Sequence, residues 1–494
     1  MIPYYDQLPI LQVTLPLIAA PLVLLFRHGL PAWLVTTIAS ALSFVISMLL
    51  LNQALDQSEI VTVIGGWLAP WGIEYRVDLL NAIVLLLVSG ISTVSLYFAR
   101  QSVADEIDED RHSLFYSSWL LCLTGLLGIT ITGDAFNVFV FLEISSLSSY
   151  VLIAMGRDRR GLAASFQYLM MGTIGATFIL IGIGLLYMST GSLNMMDIAK
   201  RIPDIENTRT LRSAFAFLTV GIGLKLAMFP LHLWLPNAYT YAPSAVSAFL
   251  AGTATKVAVY MLIRFVFSVF GISFAFEEMP LGEILLILGL SAILVTSTVA
   301  IFQDNLKKML AYSSVAQIGY MLVGIGLATA AGLSAAILHV FNHALIKGGL
   351  FLALGCLVFR LGTVQLNQLA GVARQMPWTM AAFVGGGLAL IGVPLTTGFT
   401  SKWLLVSAAL EQGLWPVALV VLIGSLLAVI YVWRVVEVTY LQPPAGDAIR
   451  REAPISLLLP TWILIAANFY FGIFTALNVG VSELAGAWLM GQGS

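Results

Sequence analysis

The sequence predicts an all-α polytopic membrane protein of about 14 transmembrane helices, on three observations. Only 10% of its 494 residues are charged, 59% are hydrophobic, and the mean hydropathy is +0.96. A soluble chain carries roughly 25% charged residues, enough to cover a water-facing surface, so lipid is the solvent for most of this one. Apolar stretches of the ~20 residues that a span requires recur from end to end, and no soluble domain fits between them.

In order, the candidate spans are 8–26, 32–52, 79–99, 114–132, 135–155, 163–189, 211–235, 243–269, 281–301, 309–328, 332–359, 379–405, 414–436 and 455–485. Lysine and arginine set the orientation. Loops after odd-numbered spans hold thirteen of them, including Arg27, Arg157, Arg159, Arg160, Lys307, Lys308 and Arg450, against five on the other side. The first side reads as cytoplasmic and both termini as outward-facing. The start, MIPYYDQLPILQV, has no basic region and no small-residue cleavage site, so no signal peptide is expected. On the outer side, GIEYRVD (72–78) alternates Ile73, Tyr75 and Val77 with Glu74, Arg76 and Asp78, which is strand periodicity. With EIVTVIGG before it, this predicts a short structural β-hairpin near 60–78. A net charge of −2 and the lack of a basic stripe point away from nucleic acid. Cys122 and Cys356 lie far apart in apolar runs and read as small buried hydrophobes, not as a disulfide or metal pair.

Two spans are interrupted. The seventh carries Lys225 and then Phe229–Pro230–Leu231; the twelfth carries Val393–Pro394–Leu395 and then Lys402. Broken spans in corresponding positions, each with an ionisable residue, are the mark of inverted repeats around a midplane site. The expected division is 1–110 (three helices and the outer hairpin), 111–270 (first inverted repeat), 271–440 (second repeat) and 441–494 (a C-terminal helix).

Setting the loop charges aside leaves Asp134, Glu143, Lys225, Lys256, Arg264, Lys347 and Lys402 in the spans, with His232, His339 and His343. Each ionised group at the bilayer centre costs about 2.5–3.5 kcal/mol on insertion scales. Together they are tolerable only if they pair, line water or change protonation state. Asp134 precedes an apolar run and reads as a helix cap. Arg264, about two turns beyond Lys256, reads as snorkelling to the outer end. Glu143 has no cap or surface in reach and reads as an ionisable switch, with a structural ion pair to a lysine as the alternative. Lys225 and Lys256 sit amid apolar residues, and a desolvated lysine, unlike arginine, exchanges protons near neutral pH. In HVFNHALIKGGLF, His339, His343 and Lys347 follow at four-residue steps and share one helix face. That is metal-ligand spacing, but no HExxH glutamate and no nearby carboxylate or cysteine completes it, so a proton relay is the better reading. Lys402 follows the loosening run Gly392, Pro394 and Gly398. His232 lies at the break of the seventh span, where it either links Lys225 to the next helix or satisfies a freed carbonyl. Walker loops, dinucleotide fingerprints and CxxC clusters are missing from the sequence.

These residues resemble a known family. TGDAFNVFVFLEISSLSSYVLIAMG is similar to the fifth-span motif of the D-type subunit of Mrp-type multisubunit sodium/proton antiporters. KLAMFPLHLWLPNAYTYAPSAVSAFLAGTATKVAVY, DNLKKMLAYSSVAQIGYM and HVFNHALIKGGLF resemble the antiporter-like subunits shared with respiratory complex I and membrane-bound hydrogenases. The resemblance covers nearly the whole chain. It implies fourteen helices with two five-helix inverted repeats, and no cofactor, metal or redox group on this chain. It implies other membrane subunits as partners and protons as the ions moved, within an assembly that exchanges sodium for protons; whether sodium passes through this chain is left open. It matches Glu143 to the fifth-span glutamate, Lys225 to its seventh-span partner, Lys256 and His339 to the central relay, and Lys402 to the twelfth-span ionisable residue. A lysine at 402, where some relatives have glutamate, leans toward the D type. The expected mechanism is a Glu143–Lys225 pair whose opening sends a proton toward Lys256, His339 or His343, and finally Lys402. Unit charges 4 Å apart interact by about 4 kcal/mol at an effective dielectric of 20, enough to gate a proton. Three readings follow: an antiporter subunit, a proton-pumping subunit of a redox-driven complex, and a scaffold whose ion pairs only fix helix packing. The expected location is a bacterial inner membrane.

Overall fold

The computed structural model describes residues 7–26, 29–57, 59–205, 208–443 and 451–491; Arg27, Arg450 and both chain ends lie outside the described residues. The elements run α1 (Leu8–Val23), α2 (Gly29–Gln57), β1 (Glu59–Val63), β2 (Glu74–Asp78), α3 (Leu79–Glu106), α4 (His112–Ile131), α5 (Ala135–Ala154) and α6 (Arg160–Thr190). Then come α7 (Met195–Arg201), α8 (Arg209–Lys225), α9 (Trp234–Tyr241), α10 (Ser244–Ile263), α11 (Leu281–Ile301) and α12 (Leu306–Gly326). The chain continues through α13 (Ala330–Leu361), α14 (Pro377–Ile391), α15 (Thr397–Glu411), α16 (Trp415–Val436), α17 (Ile455–Ile473) and α18 (Ala476–Leu489). Among the described residues, eleven helices are long and apolar enough to cross a membrane unaided. The 16-residue α1 and the broken spans α8–α9 and α14–α15 complete the fourteen crossings.

The span read as 455–485 needs correction: it is two helices. Leu464 and Ile465 of α17 meet Gly348 and Gly349 of α13, whereas Gly486 of α18 meets Ala330 and Ser334 near the start of α13. Both therefore lie along α13, with the 19-residue α17 long and apolar enough to cross by itself and α18 following after the chain turns at Phe474–Thr475. No proline marks this break. Its neighbour is the break of the twelfth span, because a side-chain carbon at Gly472 would meet the backbone of Leu395 and Thr396 at 2.5 Å.

The hairpin forms as expected, pairing Glu59 with Asp78 through Val63 with Glu74. Its polar face is buried at Glu74 and Asp78 and open to water only at Glu59 and Arg76. Arg76 bridges Glu59 (2.6 Å) and Glu74 (2.7 Å), and Asn194 donates to Glu74 Oε1 at 2.7 Å. Arg264 corrects a second expectation: it ends on Asp78 at 2.7 Å, with side chains only 12% and 6% exposed, so it closes an internal ion pair and does not reach water. Asp78 also caps α3 in a box with Asn81.

The inverted repeat is written in the backbone. Asp134 caps α5 by accepting from Asn137 N at 2.7 Å, as expected, and Asn305 caps α12 by accepting from Lys308 N at 3.1 Å. Ala135 N bonds Leu193 O and Met195 N bonds Gly133 O; Leu306 N bonds Val364 O and Leu366 N bonds Asp304 O. The bridges Asp134–Asn194 and Asn305–Gln365 match as well, every pair shifted by the same 171 residues. The first bridge lies at the hairpin end, where Gly133 N bonds Glu74 O. The second lies at the opposite end, where Lys307 bonds the start of α10.

The Asp78–Arg264 pair generates a prediction. Removing one partner of a buried pair strands the other charge at a cost of about 3–5 kcal/mol. Arg264→Ala is expected to lower the melting temperature of the purified protein markedly, and Arg264→Ala with Asp78→Asn by less than the sum of the single changes. Additive effects in thermal unfolding would show that the pair does not couple hairpin to bundle.

Candidate functional site

Lys225 is the last residue of α8, and the helix stops directly after it: Ala227 has φ 58° and residues 226–233 are turns. A non-glycine residue in the left-handed region costs about 1–2 kcal/mol, so the break is enforced by its surroundings. Trp234 opens α9, donates from Nε1 to Leu224 O at 3.0 Å, and stacks on Tyr168 with centroids 3.9 Å apart. Lys225 Nζ donates to Ser146 Oγ of α5 at 2.8 Å. Among the described residues no ion pair joins it to Glu143, one turn earlier on α5, whose Oε1 is buried without a protein partner. The expected pair is therefore open here. A cavity of about 30 Å³, room for one or two waters, touches Lys225, Ser145, Ser146, Ser149 and Tyr168 on one side and Ala254, Val257 and Ala258 of α10 on the other.

Lys256 lies on the face of α10 turned away from this cavity, and its Nζ donates to Ala251 O at 2.5 Å. On α13, the rings of His339 and His343 are parallel, 2° apart with centroids at 6.0 Å. His343 has neither ring nitrogen partnered within the protein. Lys347 donates to Leu310 O of α12 at 2.8 Å and to the Ser313 hydroxyl. The stripe read from the sequence thus exists and faces α12. His339 Nε2 bonds Gln317 Oε1 at 2.9 Å and its Nδ1 bonds Ser401 Oγ of α15 at 2.8 Å.

Ser401 precedes Lys402. The twelfth span breaks at Gly392 (φ 91°) and Leu395 (φ 72°), and Lys402 folds back across the gap. Its Nζ donates to Leu390 O (2.9 Å), Ile391 O (3.0 Å) and Ser425 Oγ (3.2 Å), and lies 4.8 Å from the Tyr320 ring centroid. It caps the C-terminus of α14, where the helix dipole favours a cation. Lys225, Lys256, His339, His343, Lys347 and Lys402 are each 6% exposed or less. His232 stands apart. Its ring lies against Phe229 and faces Tyr312 of α12, its Nδ1 is unpartnered, and it does not connect to Lys225.

Several participants were not read from the sequence. Lys307, counted as a loop charge, is buried and donates to Ala242 O (3.1 Å) and Ser244 Oγ (3.2 Å). Glu106 accepts from Ser244 N at 2.9 Å, capping α10. Both line a vestibule of about 390 Å³ at the end opposite the hairpin. Ser146, Gln317, Ser401 and Ser425 supply the hydrogen bonds described above. Asn342 donates to Thr397 O at 2.6 Å, and Thr397 donates to Asn468 at 2.9 Å, so α13 and α17 hold the start of α15. Serines and amides are common in helices; no local pattern singles these out.

Residues 132–428 match the family described as NADH:quinone oxidoreductase/Mrp antiporter, transmembrane. The chain is 40% identical over 484 residues to NADH-quinone oxidoreductase subunit N of Desulforudis audaxviator, covering 95% of this chain and 96% of the relative. It is 30% identical over 431 residues to the D-type subunit of the Na⁺/H⁺ antiporter of Alkalihalophilus pseudofirmus, covering 87% and 86%. In fold it matches a chain of the Mrp complex from Dietzia sp. with a TM-score of 0.90, at 24% identity over 99% of this chain and 98% of that one. With the repeat geometry and the buried basic row, these matches identify the chain as a multi-pass membrane protein of the NADH:quinone oxidoreductase/Mrp antiporter transmembrane family.

Proposed function

We propose that the chain is the proton-translocating, antiporter-like subunit of a multisubunit sodium/proton antiporter, working beside other membrane subunits. The observation that carries this reading is the buried row from Lys225 through Lys256, His343 and His339 to Lys402, each member held by neutral oxygens or, at His343, without a protein partner. An ammonium has three N–H donors. Lys225 finds one strong acceptor, Lys347 two and Lys402 three. Buried donors left unmade cost about 1–3 kcal/mol each, more when charged. Glu143 closes on Lys225 to hold its charge; on opening, the proton passes through the cavity toward α10 and onward along α13. His232 and Lys347 flank this route. The 171-residue shift supports treating 111–270 and 271–440 as the two repeat units, between the 1–110 and 441–494 segments. The lysine and arginine bias supports a cytoplasmic vestibule end and outward termini in a bacterial inner membrane.

The second reading places the same module in a redox-driven complex, favoured by the 40% relative named NADH-quinone oxidoreductase subunit N. Subunits that co-purify distinguish the two: antiporter partners for the first, iron–sulfur proteins for the second.

Glu143→Ala and Lys225→Ala are each expected to slow proton-coupled transport per assembled complex by about ten-fold or more, since a charge interaction of ~4 kcal/mol exceeds the ~1.4 kcal/mol that a factor of ten requires. Near-normal transport in both ends the relay reading; lost assembly with normal transport per complex after neutralising Lys225, Lys256 or Lys402 favours the scaffold. Buried polar atoms bind water when protein offers no partner. A density map that resolves waters is expected to show them within hydrogen-bonding distance of both His343 nitrogens and of Glu143 Oε1. Dry density there removes the hydrated route.

A further inference from the structure

The two repeats place one polar position against their ionisable groups. Ser146 is the twelfth residue after the cap Asp134, and Gln317 is the twelfth after the cap Asn305, so the 171-residue shift lays one on the other. Each bonds the titratable group of its own half: Ser146 takes Lys225 Nζ at 2.8 Å, and Gln317 takes His339 Nε2 at 2.9 Å. The same shift lays Tyr168 on His339, and Tyr168 lines the cavity that Ser146 and Lys225 share. The carboxylate does not repeat. Glu143 falls on Ser314, whose hydroxyl is bonded to Leu310 O of its own helix at 3.0 Å.

We propose that Ser146 and Gln317 are repeat-related positioning residues: Ser146 docks the Lys225 ammonium away from Glu143, against the cavity facing α10, and Gln317 orients His339 for exchange with Ser401 beside Lys402. Glu143 and Ser146 lie three residues apart on one face of α5, so a lysine side chain moves between them without any helix moving. One position is an ion pair that retains the proton. The other is a neutral hydroxyl beside a space for water, where the ammonium is a better donor. On α13, an amide oxygen accepting at Nε2 puts the proton there and leaves Nδ1 to accept from Ser401, whose backbone neighbour is Lys402. Position 146/317 therefore sets the geometry of transfer in each half. This inference rests on the transport reading proposed above.

The test uses the assembled complex in membrane vesicles, measuring proton-coupled transport per complex across pH. Ser146→Ala and Gln317→Leu are each expected to slow transport about ten-fold, the usual scale for a hydrogen bond to a charged or functional group, and to change the pH profile. Ser146→Thr, which keeps a hydroxyl at the same place, is expected to restore most of the rate. In a structure of the Ser146→Ala complex, Lys225 Nζ is expected on Glu143, within ion-pair distance. Wild-type rate and profile in the Ala and Leu variants, a Thr variant as slow as Ala, or an unmoved Lys225 each overturn the inference. Lys225→Ala in the same assay separates the levels. If it abolishes transport while Ser146→Ala does not, only the positioning role falls; if it transports normally, the relay reading falls with it.

Discussion

A lysine buried in a membrane bundle needs oxygen acceptors, and an intact helix offers only the second lone pair of a carbonyl already bonded to its i+4 amide, as Ala251 O gives Lys256 and Leu310 O gives Lys347. The last turn of a helix leaves its carbonyls wholly free. The break of the twelfth span supplies what Lys402 requires: two terminal carbonyls of α14 aligned with the helix dipole, with Ser425 and the Tyr320 face nearby. The break of the seventh span ends α8 at Lys225 and frees its side chain to reach α5. The breaks thus serve the two ends of the basic row, Lys225 and Lys402, while Lys256, His339, His343 and Lys347 between them stand on unbroken helices.

Holding the breaks takes strain and close packing. Ala227 and Leu395 occupy left-handed conformations that suit glycine, and each lies within a break. Such residues persist where the surroundings over-determine them. Around the first stand Trp234 stacked on Tyr168 and bonded to Leu224 O; around the second stand Asn342, Asn468 and the close approach of Gly472. The same backbone bridges anchor both repeats at opposite ends. Each repeat therefore carries one break, and each break holds one non-glycine residue in the left-handed region.

What could be read from the sequence divides along physical lines. Charges in apolar runs stand out, so Glu143, Lys225, Lys256, the His339–His343–Lys347 stripe and Lys402 were visible, as were the fourteen crossings, the hairpin and the proline-marked breaks. Asp134 was recognisable as a cap because capping is local. Contacts that depend on tertiary structure were not visible. Lys307 sits at a helix start, where a lysine ordinarily meets water, and only the packing of α10 and α12 buries it. Arg264 was read as reaching water because its partner Asp78 lies far away in sequence. The break between α17 and α18 has no proline to announce it, and Ser146 and Gln317 look like any other polar helix residues.

The distribution of carboxylates completes the argument. Where a basic side chain only has to hold the fold, the structure gives it a carboxylate: Arg264 has Asp78, Arg76 has Glu59 and Glu74, and Arg434 has Asp304. Where lysines line the interior, the acceptors are hydroxyls and carbonyls, as at Lys225, Lys256, Lys347 and Lys402. A carboxylate partner fixes a positive charge by several kcal/mol. A neutral oxygen serves an ammonium as acceptor and, where it is a hydroxyl, serves a neutral amine as donor, so it penalises neither protonation state heavily. Arginine keeps its proton under all such conditions and lysine does not. Among the described residues, arginines held by carboxylates and lysines held by neutral oxygens thus form two distinct kinds of site. Glu143 has no ion pair among the described residues, and its Oε1 is buried without a protein partner.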